Sequence, residues 1–196
     1  LRSAAVESAA ENLADGLLAP LLAFALGVQL SLALGAVAAA WVKGVNTLDS
    51  MLGYRSNPIG WAPARLDDAV MWLPARLSAL LLAVAAGSPA TPFRPAVRAL
   101  AGRPPSPNSG WPMATMAALL PARLHKPGTY DLDPAAAGRS RAAPAAPASD
   151  APERVRTSGS GATTPLPDAA TAGRAVGITR RAGALAFVVA GVIAWF

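Results

Sequence analysis

Cysteine is missing from this chain, and histidine occurs once in 196 residues, as His125. The first absence removes disulfides, thiol nucleophiles and thiolate metal centres. The second leaves no material for a histidine-rich metal site or a Ser–His–Asp triad. A single histidine beside a lysine and a proline reads as a solvated loop residue. Charge is scarce as well: 14% of residues are charged and 53% are hydrophobic, whereas a soluble domain carries about 25% charged residues. No GxxxxGK loop occurs, which excludes a P-loop nucleotide site. Any chemistry must therefore run on carboxylates, Asn, Arg, Lys and backbone groups.

What is abundant is uninterrupted apolar sequence. No charged residue stands between Gly16 and Val42, and two further apolar stretches run over Leu77–Gly87 and Ala182–Phe196. Uncharged runs of about 18 residues or more are candidate membrane spans. The lipid bilayer is therefore the first expected partner. The net charge of +6 is uneven: residues 1–88 hold five basic and six acidic side chains, leaving twelve and five for residues 89–196. Without aromatic–basic interleaving this excess does not point to nucleic acid. In a membrane protein it marks segments retained in the cytoplasm. The chain opens on Leu1 with no signal-peptide pattern, and a piece of a longer protein is expected.

Periodicity predicts a helix from Arg2 to Leu26 with two unlike halves. Glu7, Glu11 and Asp15 climb one side with Ser8 and Asn12, opposite Val6, Leu13 and Leu17. After Gly16 the helix is apolar all round. Gly27-Val28-Gln29 interrupts it, and a second helix is predicted over Leu30–Leu52. The 27-residue uncharged stretch is long for one crossing, which favours a hairpin turning near Gly27. Asp15 and Glu11 precede Gly27 by 12 and 16 residues, while Asn46 and Asp49 follow it by 19 and 22. At about 1.5 Å per residue these groups stand at similar heights on antiparallel helices. Such a hairpin gathers Glu7, Glu11, Asn12, Asp15, Asn46 and Asp49 into a polar site at one membrane face.

Farther along, Gly53–Ala64 reads as a loop and Arg65-Leu66-Asp67-Asp68 as the start of another helix, with aspartates where the macrodipole favours negative charge. Pro74 and Arg76 are expected to interrupt it. Ser88–Pro105 reads as a connection, Ser106–Gly110 as a tight turn, and a short helix is expected from Trp111 to about Leu124. Lys126–Tyr130 should end the ordered region. The Ala-, Pro- and Ser-rich stretch 134–172 has too little apolar surface to offset chain ordering and is expected to be a disordered linker. A last membrane helix is expected over 173–196, starting before Arg180-Arg181. Three units result: a membrane-embedded core at 1–133, the linker at 134–172 and the terminal helix.

Like charges at i, i+4 repel, so Glu7/Glu11/Asp15 suggests a cation or a basic partner. A magnesium site with Asp49 or Asp67–Asp68 contributing suits that spacing, as does a solvated acidic face at a membrane surface. Arg55, Arg65 and Lys126 are candidate anion binders, and equally cytoplasmic flank residues.

Several blocks carry a resemblance. Glu7-Ser8-Ala9-Ala10-Glu11-Asn12-Leu13-Ala14-Asp15-Gly16 and Val45-Asn46-Thr47-Leu48-Asp49-Ser50-Met51-Leu52-Gly53-Tyr54-Arg55 are the longest. Gly60-Trp61-Ala62, Ala64-Arg65-Leu66-Asp67-Asp68, Leu73–Leu77, Ser106-Pro107-Asn108, Gly110–Ala114 and Lys126–Tyr130 follow in order. Together they resemble the CobD/CbiB family of adenosylcobinamide-phosphate synthases over roughly residues 5–131, with a weaker match from Asp168. The resemblance implies an all-α, multi-pass protein of the cell membrane with a cytoplasmic active face. The implied reaction joins aminopropanol phosphate, or a similar amino alcohol, to a carboxylate of adenosylcobyric acid as an amide, using ATP and Mg. It implies catalytic roles for Glu11, Asp15, Asp49, Asp67 and Asp68, and substrate contacts from Asn12, Asn46, Arg55, Arg65, Asn108 and Lys126. Glu7, Glu11 and Asp15 are the candidate Mg ligands. The family's N-terminal portion is not represented in the chain. The rival expectation is a non-catalytic membrane sensor or scaffold of the same fold; kept carboxylates and arginines favour the enzyme.

Overall fold

The computed structural model describes residues 2–53, 58–139 and 163–196. Helix α1 (Arg2–Asn12) runs through a π-helical stretch, Leu13–Leu18, into α2 (Ala19–Gly27). The wide turn has a local cause. Pro20 has no N–H to give the Gly16 carbonyl, and the Ala19 N–H reaches back five residues to Ala14 O. Asp15 lies inside this turn.

The hairpin turns where expected. Residues 28–31 reverse the chain, and the Ser31 hydroxyl caps α3 (Leu32–Leu52) by accepting from Leu34 N–H at 3.1 Å. A Cβ on Gly27 would stand 2.8 Å from Gly35 Cα, so α2 and α3 meet at backbone distance through two glycines.

The next segment departs from expectation. Helix α4 starts at Pro58 and runs to Val70, so most of the supposed loop 53–64 is helical and tolerates Pro63 inside it. The break falls at Met71, where α4 meets α5 (Trp72–Ala85) at 47°. The break stands one turn before Pro74, which has no N–H to give Val70 O, so the interruption expected near Pro74 is observed, while Arg76 lies inside α5. Pro74 sits in the first turn of α5, where backbone N–H groups have no intrahelical partner to lose. A 3₁₀ turn at Thr91–Phe93 leads to α6 (Pro95–Ala101) and α7 (Gly110–Leu119).

The architecture is mostly helical but not wholly so. Strands β1 (Leu124–Lys126) and β2 (Tyr130–Leu132) form an antiparallel ribbon in the register Leu124↔Leu132, His125↔Asp131, Lys126↔Tyr130. Its turn places Pro127 second and Gly128 third, with Gly128 at φ +71° and Thr129 N–H returning to Lys126 O at 3.0 Å. Proline presets the first bend and glycine supplies the left-handed position. Order therefore extends past Tyr130, into α8 (Pro134–Arg139).

Both described ends of the expected linker are ordered. Asp133 is buried and accepts from Ala135 N–H at 2.9 Å and the Thr164 hydroxyl at 2.5 Å, and Arg123 N–H donates to Pro165 O at 2.9 Å. One buried carboxylate thus joins positions 31 residues apart, which composition could not reveal. Residues 140–162, the middle of that expectation, lie outside the described residues. The last helix, α9, spans Ala169–Trp195 and starts four residues before the expected boundary, capped by Asp168, which accepts from Thr171 N–H at 2.7 Å.

Leu18, Leu82, Leu100, Met113, Met116, Leu124 and Leu132 are fully buried and form the centre of the packing. Helix α9 lays Ala175, Ile178, Ala182, Ala186 and Ala190 against it, a stripe of mostly small residues that permits close helix approach. Among the described residues two helices are long and apolar enough to cross a membrane, Arg2–Gly27 and Ala169–Trp195, and a third if the bent α4–α5 pair counts as one span. The second half of α3 carries Lys43, Asn46 and Asp49.

The two long helices run parallel. The Thr179 hydroxyl faces Ala9 O, Gly183 lies against Leu13 and Leu17, and Gln29 Nε2 donates to Ile193 O. Residue numbers rise together along both helices. The starts of α1 and α9 therefore share one end, and the α2–α3 turn shares the other with Phe196.

Candidate functional site

Asn46 is the centre of the polar end. Its Nδ2 donates to Asp67 Oδ1 at 3.4 Å, its Oδ1 accepts from Lys43 Nζ at 3.2 Å, and the Asp15 carboxyl lies within its influence. Three elements contribute: the π turn supplies Asp15, α3 supplies Lys43 and Asn46, and α4 supplies Asp67. Asp67 is buried, and the charges of Asp15, Asp49 and Asp68 all act on it. An amide suits this position because it offers a donor to two carboxylates and an acceptor to an ammonium. The hairpin heights expected for Asp15, Asn46 and Asp49 are thus observed.

Glu7 and Glu11 go elsewhere. Glu7 is buried with both carboxylate oxygens engaged, Oε1 by the Ser3 hydroxyl at 2.6 Å and Oε2 by the Tyr130 phenol at 2.8 Å. Burial, followed by the Glu7 carboxylate, pushes the Tyr130 phenol above its ordinary value. Glu11 is half-buried within reach of the charges of Asp15, Glu7 and Lys126. Among the described residues, no group of three His, Cys, Asp or Glu side chains is placed to hold a metal ion. The Glu7–Glu11–Asp15 metal set therefore fails as one cage. Glu7 is drawn off by Tyr130, a partner 123 residues distant.

The remaining candidates divide. Asn108 is buried with its amide fully used: Oδ1 accepts from Arg76 Nη1 at 3.0 Å and Nδ2 donates to Asp68 O at 2.8 Å. It pins the Ser106–Gly110 turn to α4, so the chain from Asp68 makes an excursion and returns to the same end. Arg76 lies between Trp72 and Trp111, with ring centroids at 4.4 and 5.0 Å. Arg65 is 63% exposed and stands 4.0 Å from Asp68. It lines a cleft of about 400 Å³ with Arg98, Pro105 and Trp111. Asn12 is exposed and lines a groove with Thr179 and Arg180. Lys126 is exposed on the ribbon turn and lines a second cleft, of about 580 Å³, with Glu11. Arg55 lies outside the described residues.

Sequence reasoning missed Lys43, Arg76 and Tyr130. Lys43 had a signal: it is the first charge after 27 uncharged residues and lies three before Asn46. Tyr130 had none, since nothing local ties it to Glu7.

A helical protein with two membrane-length helices and a carboxylate–amide cluster at one end is the class these features define. The chain belongs to the family described as CobD/Cbib protein, which matches residues 1–157. It is 45% identical over 134 residues to a "Probable cobalamin biosynthesis protein CobD" of Methanothrix thermoacetophila, covering 67% of this chain and 42% of that protein. A protein of the same description from Methanothermobacter thermautotrophicus is 42% identical over 138 residues, covering 67% and 44%. The "Cobalamin biosynthesis protein CobD" of Photorhabdus laumondii is 45% identical over 134 residues, covering 65% and 40%. The chain spans less than half the length of these curated relatives. No solved structure matches it.

Proposed function

We propose that this chain forms part of a cobalamin-biosynthesis enzyme that makes adenosylcobinamide phosphate by amide ligation. The acid is adenosylcobyric acid, and the amine is aminopropanol phosphate or a similar amino alcohol. The observation that carries the reading is the Asn46-centred cluster, in a chain matched by proteins named for cobalamin biosynthesis. A scaffold needs only the apolar pattern, whereas this end holds Asp15, Asp49, Asp67 and Asp68 together around one amide and one ammonium.

The chemistry follows from the groups. The attacking amine must shed its proton, and a carboxylate at this end accepts it. Lys43 and Arg65 supply positive charge for phosphate oxygens. The donor set fits Mg only in the form in which one or two carboxylates share the ion with phosphate and water. Asp67, bonded to Asn46, and Asp15 beside it are the residues that would hold it. ATP with Mg would supply the activation of the acid's carboxylate. The bilayer is the proposed environment, with two or three spans and the polar end in the cytoplasm, where Arg180 and Arg181 flank the apolar end of α9.

The test is turnover by the full-length protein in lipid nanodiscs. Adenosylcobyric acid, aminopropanol phosphate, ATP and Mg should yield the amide, read by mass spectrometry. A correctly inserted protein that forms none would overturn the reading.

A further inference from the structure

Helices α1 and α9 do not close on each other along their whole length. Ala9 on one side and Gly183 and Ala184 on the other are too small to fill the space, which leaves a groove of about 560 Å³. Its floor is tight: a Cβ on Gly183 would stand 3.3 Å from Leu17 Cδ2, so glycine there seats Leu17 against the α9 backbone. Its outer wall is open, with Val176 51% and Phe187 58% exposed.

The groove is graded from polar to apolar. Asn12, Thr179 and Arg180 form one end, and Leu17, Gly183, Ala184 and Phe187 follow toward the Phe196 end. The Thr179 hydroxyl donates to Ala9 O at 3.4 Å, which leaves the Arg180 guanidinium and the Asn12 amide as the donors of the rim. Arg180 is exposed, and among the described residues it makes no ion pair and no hydrogen bond. No described carboxylate lines the groove.

Height and charge decide the occupant. The apolar run of α9 starts at Ala182, directly after Arg180 and Arg181, so the rim lies where a bilayer's headgroups begin. From Arg180 to Phe187 the helix rises about 10 Å, while one leaflet's hydrocarbon is about 15 Å deep, half of about 30 Å. The guest therefore carries an anionic head at the rim and an apolar tail running inward through most of a leaflet. Basic pockets between membrane helices hold anionic lipid headgroups in this way. A packed protein helix would have to bring a carboxylate to Arg180 or leave a cation buried without one. A choline headgroup would add a third cation beside Arg180 and Arg181, whereas a glycerol headgroup adds none.

We infer that the α1–α9 groove is a binding site for one anionic phospholipid. Its phosphate sits on Arg180 and the Asn12 amide, and one acyl chain lies along Leu17, Gly183 and Phe187. The inference rests on the bilayer as the protein's environment and is independent of the amide-ligation reading.

The experiment is native mass spectrometry of the full-length protein in detergent, titrated with dioleoylphosphatidylglycerol or dioleoylphosphatidylcholine. One phosphatidylglycerol per protein should stay bound at concentrations where phosphatidylcholine does not. Arg180→Met should weaken that binding by about tenfold, the scale of one charge-assisted contact, and Arg180→Lys should keep most of it. Ala184→Trp fills the groove and should weaken binding as much with the rim intact. Arg181→Met is the control: it removes the same charge, but Arg181 Nε donates to Gly177 O outside the groove lining, and binding should stay near wild type. Arg180, Arg181 and Ala184 are all exposed, so the variants should elute as the wild type does. Equal losses in Arg180→Met and Arg181→Met would mean diffuse surface charge and overturn the site. So would unchanged binding in Ala184→Trp, equal retention of the two lipids, or retention of neither, which gives the groove to another part of the full-length protein. A full-length protein that stays in solution without detergent would sink the bilayer reading and the site with it. Lipid binding in the expected pattern by a protein that forms no amide would keep the site and sink only the ligase reading.

Discussion

Asn46 on α3 donates to Asp67 on α4 across 3.4 Å, and the Asp15 carboxyl of the π turn lies within the influence of the same amide. One neutral amide thereby stands between the Asp67 carboxylate and the Lys43 ammonium, with Asp15 beside it. Replacing Asn46 by Ala should release both acids while leaving insertion intact, lowering turnover by about 10²-fold if they act in the transition state. Asn46→Asp should be worse than Ala, because it adds a negative charge between two others. Equal activity of the two variants, measured in nanodiscs, would show that charge at this point is irrelevant.

The Glu7–Tyr130 bond predicts a stability effect distinct from catalysis. Tyr130→Phe removes the phenol donating to a buried carboxylate at 2.8 Å. Leaving such a group one partner short costs about 1–3 kcal/mol. Thermal unfolding in detergent should shift downward, and Glu7→Gln should lose less when combined with Tyr130→Phe than alone. Strict additivity of the two changes would mean that the residues do not interact.

The parallel course of α1–α2 and α9 predicts sidedness. Because the sequence contains no cysteine, single cysteines label without a background. Leu30→Cys and a cysteine appended after Phe196 should react from one side of sealed vesicles. Ala170→Cys and Lys126→Cys should react from the other. Leu30 and Ala170 labelling from the same side would contradict the paired crossing.

Arg123 grips Asp131 with two bonds, Nε to Oδ1 at 2.8 Å and Nη2 to Oδ2 at 2.5 Å, and holds its carboxyl below the usual range. A carboxyl depressed in the folded state stabilises above its unfolded value, and that contribution fades as pH falls through the folded one. Asp131→Asn should therefore melt below wild type at pH 7, and the gap should close in acid. With side chains 30% and 40% exposed, solvent screens the pair, and the gap should stay near ~0.5–1 kcal/mol. A gap that persists below the carboxylate range would point to packing instead.

The parts of this arrangement that were legible in the sequence are those with local causes. The hairpin followed from 27 uncharged residues broken at Gly27, and helical rise placed Asp15 level with Asn46. Local causes misled where a distant partner decides. Glu7 belongs to the i, i+4 row but is turned by Tyr130. Composition shows Ser106–Gly110 only as a tight turn, whereas Asn108 is buried and bonded to Arg76 and Asp68. The ends of the Ala/Pro stretch are ordered through Asp133, a contact with Thr164 that composition cannot encode. Proline was legible too: Pro74 has no N–H to return to Val70 O, and the helix breaks at Met71.

The central claim is that the acids around Asn46 perform chemistry. Its most direct test is amide formation by the full-length protein carrying Asp15→Asn or Asp67→Asn, with Asp150→Asn, in the segment outside the described residues, as control. Each change keeps shape and removes one charge. Both site variants should insert normally and lose turnover by orders of magnitude, on the scale of several kcal/mol of transition-state stabilisation, while the control keeps it. Near-wild-type turnover in both would return these residues to the role of solvated acids at a membrane boundary.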